Sequence, residues 1–302
     1  MAKIFNRMSN AKKKKIYNCK ITSNVMISDK IMKIVIHAPE VSSEAMPGQF
    51  VNVYPEGGIN LLPRPISICD VDEGKKTITL IYAIVGEGTS QLASKRKADT
   101  VRISSPLGNG FTMPWNMRKQ DMIDSDDVRV AGGAESGSDA GNLSKKAILV
   151  GGGVGIAPLI FLSRILAAGG IECTFIAGFR DDIFLEKEIS EYASEVFLTT
   201  EEPCENAFMG NVAECLEVNK IKGDIYYACG PYAMLKNVNR YVETVDGRVQ
   251  VSLEERMGCG YGACVGCACD MYENALSGTK KIVKKKVCFD GPVFFGDEVV
   301  WK

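Results

Sequence analysis

Over the first third of the chain, apolar and polar residues alternate in short runs; beyond residue 146, solid apolar blocks take over. Ile16-Tyr17-Asn18-Cys19-Lys20-Ile21 roughly alternates, and 31–37, 49–53, 66–69, 77–85 and 100–104 are further strand candidates. Pro47-Gly48, Glu56-Gly57-Gly58 and Glu73-Gly74 supply turns between them. Many short strands at this spacing predict a small antiparallel β-barrel over 16–114. From Ala147 the period changes: 147–150, 173–177, 195–199, 224–229 and 249–252 read as strands, and 155–168, 183–193 and 232–242 as helices. Strands alternating with helices predict a parallel sheet covered on both faces, here an α/β domain over 147–252.

Between these two patterns lies a stretch of different character. Residues 115–146 include Asp-Ser-Asp-Asp and a Gly/Ser-rich run with few large apolar side chains, which reads as a flexible insert or linker. Residues 1–15 carry the run Lys12 to Lys15 and read as a solvated N-terminal tail. A cysteine-rich module occupies 253–302. At roughly 150 residues per domain, 302 residues suit two domains with a small third module.

Charge and composition exclude several functions. Lys+Arg number 36 against 37 Asp+Glu, so no basic excess is available to neutralise phosphates, and nucleic acid is not expected as the partner. The one histidine, His37, ends a candidate strand, which suits a structural role; a multi-histidine metal site is excluded and a Ser-His-Asp triad is disfavoured. No run of 18 apolar residues is present and the start Met-Ala-Lys shows no secretory leader, so neither a membrane span nor export is expected. A cytoplasmic location then keeps the eleven cysteines reduced, and their clustering points to metal or redox chemistry rather than disulfides.

Cys259-Gly-Tyr-Gly-Ala-Cys264-Val-Gly-Cys267, with Cys288 further on, has the C-x4-C-x2-C…C spacing of a plant-type [2Fe–2S] site. Three thiolates from one loop wrap the inorganic core, Gly260, Gly262 and Gly266 relieve crowding, and the fourth ligand closes the cage. Structural zinc, which favours two well-separated cysteine pairs, and uncoordinated buried thiols are the alternatives. Cys269 fits no ligand position and reads as a small core residue.

Three weaker motifs accompany it. Gly151-Gly152-Gly153-Val154-Gly155-Ile156-Ala157-Pro158 joins a strand to a helix N-terminus, which attracts phosphate, although it lacks the G-x-G-x-x-G fingerprint. Arg64-Pro65-Ile66-Ser67 offers a guanidinium for a diphosphate and a hydroxyl for a flavin edge, or is an ordinary arginine beside a turn. Ile81-Tyr82-Ala83 and Gly88-Thr89 follow it; Gly88-Thr89 offers N–H and hydroxyl donors to phosphate, and Tyr82 suits the core equally well. Cys229-Gly230-Pro231 ends a parallel strand, where open α/β sheets bind ligands, or is a buried cysteine before a turn.

Barrel, nucleotide domain and iron–sulfur tail, in that order over 16–302, resemble the ferredoxin–NADP reductase superfamily. Within it the chain resembles the electron-transfer subunits of NAD-dependent, class 1B dihydroorotate dehydrogenase. Besides the motifs above, Pro47-Gly48-Gln49-Phe50, Val85-Gly86-Glu87-Gly88-Thr89, Pro106-Leu107-Gly108-Asn109-Gly110-Phe111, Glu254-Glu255-Arg256-Met257-Gly258-Cys259 and Cys288-Phe289-Asp290-Gly291-Pro292-Val293-Phe294 carry the likeness. The resemblance implies FAD contacts at Arg64, Pro65, Ile66, Ser67, Ile81, Tyr82, Ala83, Gly88 and Thr89. It implies cluster ligation by Cys259, Cys264, Cys267 and Cys288. It implies NAD binding near Gly151, Gly152, Gly153, Gly155, Pro158, Cys229 and Gly230, with no certain catalytic residue in this chain. It further implies an FMN-containing catalytic partner, a two-plus-two heterotetramer, and an electron route from FMN through [2Fe–2S] and FAD to NAD+ in pyrimidine (UMP) biosynthesis. Flavin must stand between cluster and nicotinamide because the cluster passes single electrons and NAD+ takes a hydride. The small FAD/[2Fe–2S] subunit of a bifurcating ferredoxin–NADP reductase or sulfide dehydrogenase is similar, but its first cluster ligand is often Asp where Cys259 stands here. A colourless zinc-binding scaffold is the reading from another class. Glu201 and Glu202, after a strand, are candidate ribose readers.

Overall fold

A computed structural model describes residues 14–56, 62–117, 146–274 and 280–302. Of the tail expected over 1–15, residues 1–13 lie outside the described residues, as do residues 118–145 of the expected insert.

Six strands close the barrel: β1 (Ile16–Ser28), β2 (Ile31–His37), β3 (Phe50–Tyr54), β4 (Arg64–Asp72), β5 (Thr77–Ala83) and β6 (Thr100–Ser104), in the order β1-β2-β5-β4-β3-β6. Every neighbouring pair is antiparallel. Period-2 patterning builds it: along β2, Met32, Ile34 and Ile36 point inward and are buried, while the intervening residues are partly exposed. β1 runs seven residues past the alternating stretch at 16–21, because shifts of register between Ile21 and Ser23 and between Met26 and Ser28 interrupt the alternation without ending the strand. Two short helices cover the barrel, α1 (Pro39–Glu44) and α2 (Glu87–Ser94).

The second domain is a sheet of β7 (Lys146–Gly152), β8 (Glu172–Phe179), β9 (Glu195–Thr200), β10 (Phe208–Met209), β11 (Ile225–Cys229) and β12 (Val249–Ser252), parallel throughout. Helices α3 (Ala157–Ala168), α4 (Glu186–Ser190), α5 (Val212–Val218) and α6 (Tyr232–Thr244) pack against it. The helix expected over 183–193 is only the five residues of α4. Leu185 takes a left-handed φ of 62°, so the helix begins after it, and the N–H of Ser194 already bonds the carbonyl of Cys173 at 2.9 Å.

The C-terminal module adds a ribbon of β13 (Ala268–Asn274) and β14 (Lys280–Lys286), then β15 (Val293–Phe295). β15 pairs antiparallel with β12 and becomes the seventh strand of the α/β sheet. The module is therefore anchored by backbone hydrogen bonds to the nucleotide domain, and Cys267, Cys288, Met271 and Val299 share one apolar core with Val251, Leu253 and the barrel residue Phe50. Among the described residues no helix is long and apolar enough to cross a membrane.

Side chains lock barrel to sheet. Arg164 reaches from α3 to Asp70 Oδ1 at 2.9 Å and to the Val71 carbonyl at 2.8 Å. Thr112, on the strap leaving the barrel, donates its N–H to Gln250 Oε1 at 2.8 Å; its carbonyl accepts from Gln250 Nε2 at 2.9 Å and from the Tyr227 hydroxyl at 3.0 Å. Gln250 is 1% exposed, so its amide has no water to replace these partners. Gln250→Ala is expected to lower stability by about 2 kcal/mol, the cost of leaving the Thr112 N–H without its acceptor; urea unfolding of the loaded protein, read by near-UV dichroism, measures it.

Candidate redox site

The cysteine loop leaves the sheet at β12 and runs from Leu253 to Cys267. Gly260 and Gly262 take φ values of 75° and 80°, so the chain folds back on itself and aims N–H groups at sulfur. The N–H of Tyr261 donates to Cys259 Sγ at 3.3 Å, that of Gly262 to Cys288 Sγ at 3.2 Å, and that of Cys288 to Cys267 Sγ at 3.4 Å. Val265, between the second and third cysteines, takes φ 51° despite its branched Cβ and is 62% exposed. The loop thus holds an unfavourable backbone angle at the outermost point of the cysteine wrap.

The four thiols sit as two pairs. Cys259 interacts with Cys264, and Cys288 with Cys267. Burial opposes ionisation of Cys259, but the N–H groups of Tyr261, Cys264 and Ala263 and the Cys264 thiol outweigh it and hold its pKa down. Burial, and then the neighbouring Cys267, push the Cys288 thiol up. All-thiolate occupancy of so crowded a set calls for a positive core to offset the repulsion. Among the described residues no three His, Cys, Asp or Glu side chains converge as a single-ion site. An all-sulfur donor set arranged in pairs, with backbone N–H groups aimed at it, fits a two-iron cluster. Cys269 stands apart, its thiol turned to the Lys285 carbonyl at 3.4 Å.

The barrel holds this loop in place through β3. Asn52, fully buried, donates from Nδ2 to the Cys259 carbonyl at 3.0 Å, and the Tyr54 and Tyr261 hydroxyls meet at 2.5 Å. Burial, and then Tyr54, raise the Tyr261 pKa, so the Tyr261 hydroxyl stays protonated. Neither contact is visible in the sequence, where Asn52 and Tyr54 are ordinary strand residues.

Beside the loop is a cavity of about 450 Å³ lined by Phe50, Pro65, Ser67, Cys229, Ser252, Leu253 and the run Glu254 to Met257, with Pro292. Barrel, sheet and cysteine loop each supply a wall. Arg64 lies just off it, its guanidinium laid so closely over Gly88 that an added Cβ there would meet it at 2.4 Å. With the N-terminus of α2 beneath, this pairing suits a diphosphate, and the flat cavity alongside suits a flavin ring. The Thr89 hydroxyl is used locally, accepting from the N–H of Val85 and of Gly86 at 3.0 and 3.2 Å, which leaves its backbone for any phosphate contact. Ile66 and Tyr82 point into the barrel core, Tyr82 with its hydroxyl on Asn24 at 3.3 Å, and Ile81 packs in the interdomain core.

A second cavity, about 710 Å³, opens at the carboxyl ends of the parallel strands. Gly152, Gly153, Gly155 and Gly230 line it with Ala83 from the barrel and Glu201 from the end of β9. Gly151 and Pro158 are buried behind it. Glu202 does not reach it; its carbonyl accepts from the Thr200 hydroxyl at 2.7 Å. Glu254 lines both cavities. Burial raises its pKa, and burial with the nearby Glu254 carboxylate pushes Cys229 up to about 12, so this thiol stays protonated at neutral pH. Nothing in the sequence separates Glu254 from Glu255 as the residue shared between cavities.

Comparison with known proteins agrees with this geometry. Residues 254–300 match the family described as the iron-sulfur cluster binding domain of dihydroorotate dehydrogenase B. The dihydroorotate dehydrogenase B (NAD(+)) electron transfer subunit of Bacillus cereus strain Q1 is 36% identical over 287 residues, which is 94% of this chain and 98% of that protein. Among solved structures, an NADH-dependent reduced ferredoxin–NADP oxidoreductase superposes with a TM-score of 0.73 at 24% identity, covering 94% of this chain and 90% of that one. A ferredoxin NADP+ reductase from Neisseria gonorrhoeae with bound FAD and NADP gives 0.58 at 16% identity, covering 78% and 98%. The structural neighbours share the fold; the sequence relationship, spanning nearly both full lengths, decides between the two redox families expected from the motifs. This chain belongs to the family of electron transfer subunits of NAD(+)-dependent dihydroorotate dehydrogenase B.

Proposed function

We propose that this chain takes electrons from an FMN-containing catalytic subunit that oxidises dihydroorotate, and delivers them to NAD+, within a two-plus-two heterotetramer in the cytoplasm. A reducing compartment suits a chain whose eleven cysteines are all unpaired. When bound, the cluster relays single electrons and FAD collects two of them for transfer with a proton as hydride. Cys259, Cys264, Cys267 and Cys288 hold the cluster, Arg64, Ser67 and the start of α2 hold FAD, and the glycine loop from Gly151 to Gly155 holds the nicotinamide nucleotide.

The observation that carries this reading is the shared wall. The run Glu254 to Met257 lines the flavin-sized cavity and continues directly into Cys259. Its other end, Glu254, faces the nucleotide cavity. Ser67 and the protonated Cys229 face the flavin-sized cavity with polar groups that carry no charge. Glu254 supplies a carboxyl where the two cavities meet and holds a proton more readily than a solvated glutamate. Dihydroorotate chemistry needs a base near its substrate; in this reading that base belongs to the catalytic partner.

Anaerobic reconstitution with the FMN partner tests the assignment. Cys264→Ser is expected to abolish the cluster's visible absorbance and the paramagnetic signal of the reduced protein. It should lower dihydroorotate-dependent NAD+ reduction by about a hundredfold, roughly 2.7 kcal/mol in activation free energy, with FAD retained. Full colour and full turnover in that variant would remove the assignment.

Glu201 is proposed to read the nicotinamide ribose. Glu201→Gln is expected to raise KM for NAD+ about tenfold, near 1.4 kcal/mol, at unchanged flavin and iron content; steady-state kinetics decide it. The partner is proposed to dock over the exposed apolar rim of the cluster, where Val265 is 62% and Phe289 59% exposed. Val265→Asp, a residue type that tolerates the left-handed backbone, should leave the cluster spectrum intact and weaken partner binding about tenfold by calorimetry.

A further inference from the structure

Lys286 ends β14, two positions before Cys288, and its side chain turns back to the cysteine loop. Its Nζ donates to the Gly262 carbonyl at 3.0 Å, and the N–H of that same Gly262 donates to Cys288 Sγ at 3.2 Å. The ammonium also lies 5.0 Å from the centre of the Phe289 ring. Its root is fixed: the Lys286 N–H donates to Asp290 Oδ2 at 2.7 Å, and the Lys286 carbonyl accepts from Phe289 and Asp290 at 3.0 and 2.8 Å. The turn that presents Cys288 therefore also presents this cation.

Two other lysines of the ribbon are paired with carboxylates. Lys281 pairs with Glu273 at 2.9 Å, and Lys284 pairs with Asp270. Among the described residues no carboxylate lies within ion-pair distance of the Lys286 ammonium. The nearest acidic group in its turn, Asp290, spends its carboxylate on the Lys286 backbone N–H. The Lys286 charge is thus half-buried, directed at the cysteine loop, and separated from a ligand sulfur by a single residue's backbone.

We propose that Lys286 is a positioning residue that sets the reduction potential of the centre held by Cys259, Cys264, Cys267 and Cys288, an inference that rests on the cluster reading above. Reduction adds one electron to a centre already crowded with thiolate charge, and no bond forms or breaks and no proton moves. The same electron leaves toward the flavin, so stoichiometry is unaffected. A fixed cation beside the ligands stabilises the reduced state more than the oxidised one, and partial exclusion of water strengthens the effect. The lysine therefore raises the potential and makes the centre an adequate acceptor for the electron arriving from the partner.

The test is a redox titration followed by the paramagnetic signal of the reduced centre, on the full chain loaded with iron and flavin. Lys286→Met and Lys286→Gln are expected to keep full iron and lower the potential by about tenfold in the one-electron equilibrium constant, about 59 mV. Lys286→Arg, and Lys284→Met on the same face of the ribbon, are expected to stay within about twofold of the parent. Loaded neutral variants at the parental potential overturn the proposal. So does a Lys284→Met shift as large as that of Lys286→Met, which would assign the effect to the ribbon as a whole. Loss of iron from both neutral variants would reduce Lys286 to a clamp on the loop and also overturn it. A parent protein without iron or paramagnetic signal would instead overturn the cluster reading itself.

Discussion

The hold of β3 on the cysteine loop is the constraint from which the rest of the redox architecture follows. Electron transfer weakens steeply with distance, so a protein that relays electrons must fix its carriers relative to one another. Here the flavin-sized cavity is walled by β4 of the barrel and the four clustered cysteines belong to the C-terminal module. Asn52 and Tyr54, on the strand next to β4, bond the Cys259 carbonyl and the Tyr261 hydroxyl. Asn52 is fully buried, so its bond to the loop faces no competition from water. The barrel thereby fixes where Cys259 lies.

The anchoring at the opposite side is of another kind. β15 adds to the sheet edge after β12, so the module that carries the cysteines is held by main-chain hydrogen bonds to the domain that carries the nucleotide cavity. Side-chain ties to the barrel and backbone ties to the sheet converge on one short loop.

How much of this was legible in the sequence divides by the range of the interaction. The spacing of Cys259, Cys264 and Cys267 is local, so these three stand out from their intervals, whereas it is the fold that brings Cys288 beside them. The barrel strands and the strand–glycine–helix turn at Gly151 are legible because period and turn chemistry are also local. β2, β6 and β12 have the bounds their patterns imply, whereas α4 is short because one residue, Leu185, takes an angle that no periodicity announces. Asn52, Tyr54 and Lys286 carry no signal of their own in the sequence because each acts on a residue far along the chain, at a separation of 207 in the case of Asn52 and Cys259. A buried asparagine and an exposed one look alike until the fold brings a carbonyl to it.

The placement of charge around the two cavities follows a related logic. Close to the flavin-sized cavity the groups from barrel and sheet are neutral at physiological pH: Ser67 is uncharged and burial keeps the Cys229 thiol protonated. Full charges stand at the periphery, Arg64 over Gly88, Lys286 behind the cysteine loop and Glu201 at the rim of the nucleotide cavity. A charge next to a flavin ring biases one redox state against another. In the proposed reading, charges set one group further out are placed to act on phosphate, ribose and cluster. The charged side chains that line the flavin-sized cavity, Glu254, Glu255 and Arg256, come from the cysteine loop, and Glu254, whose pKa is raised by burial, also lines the second cavity.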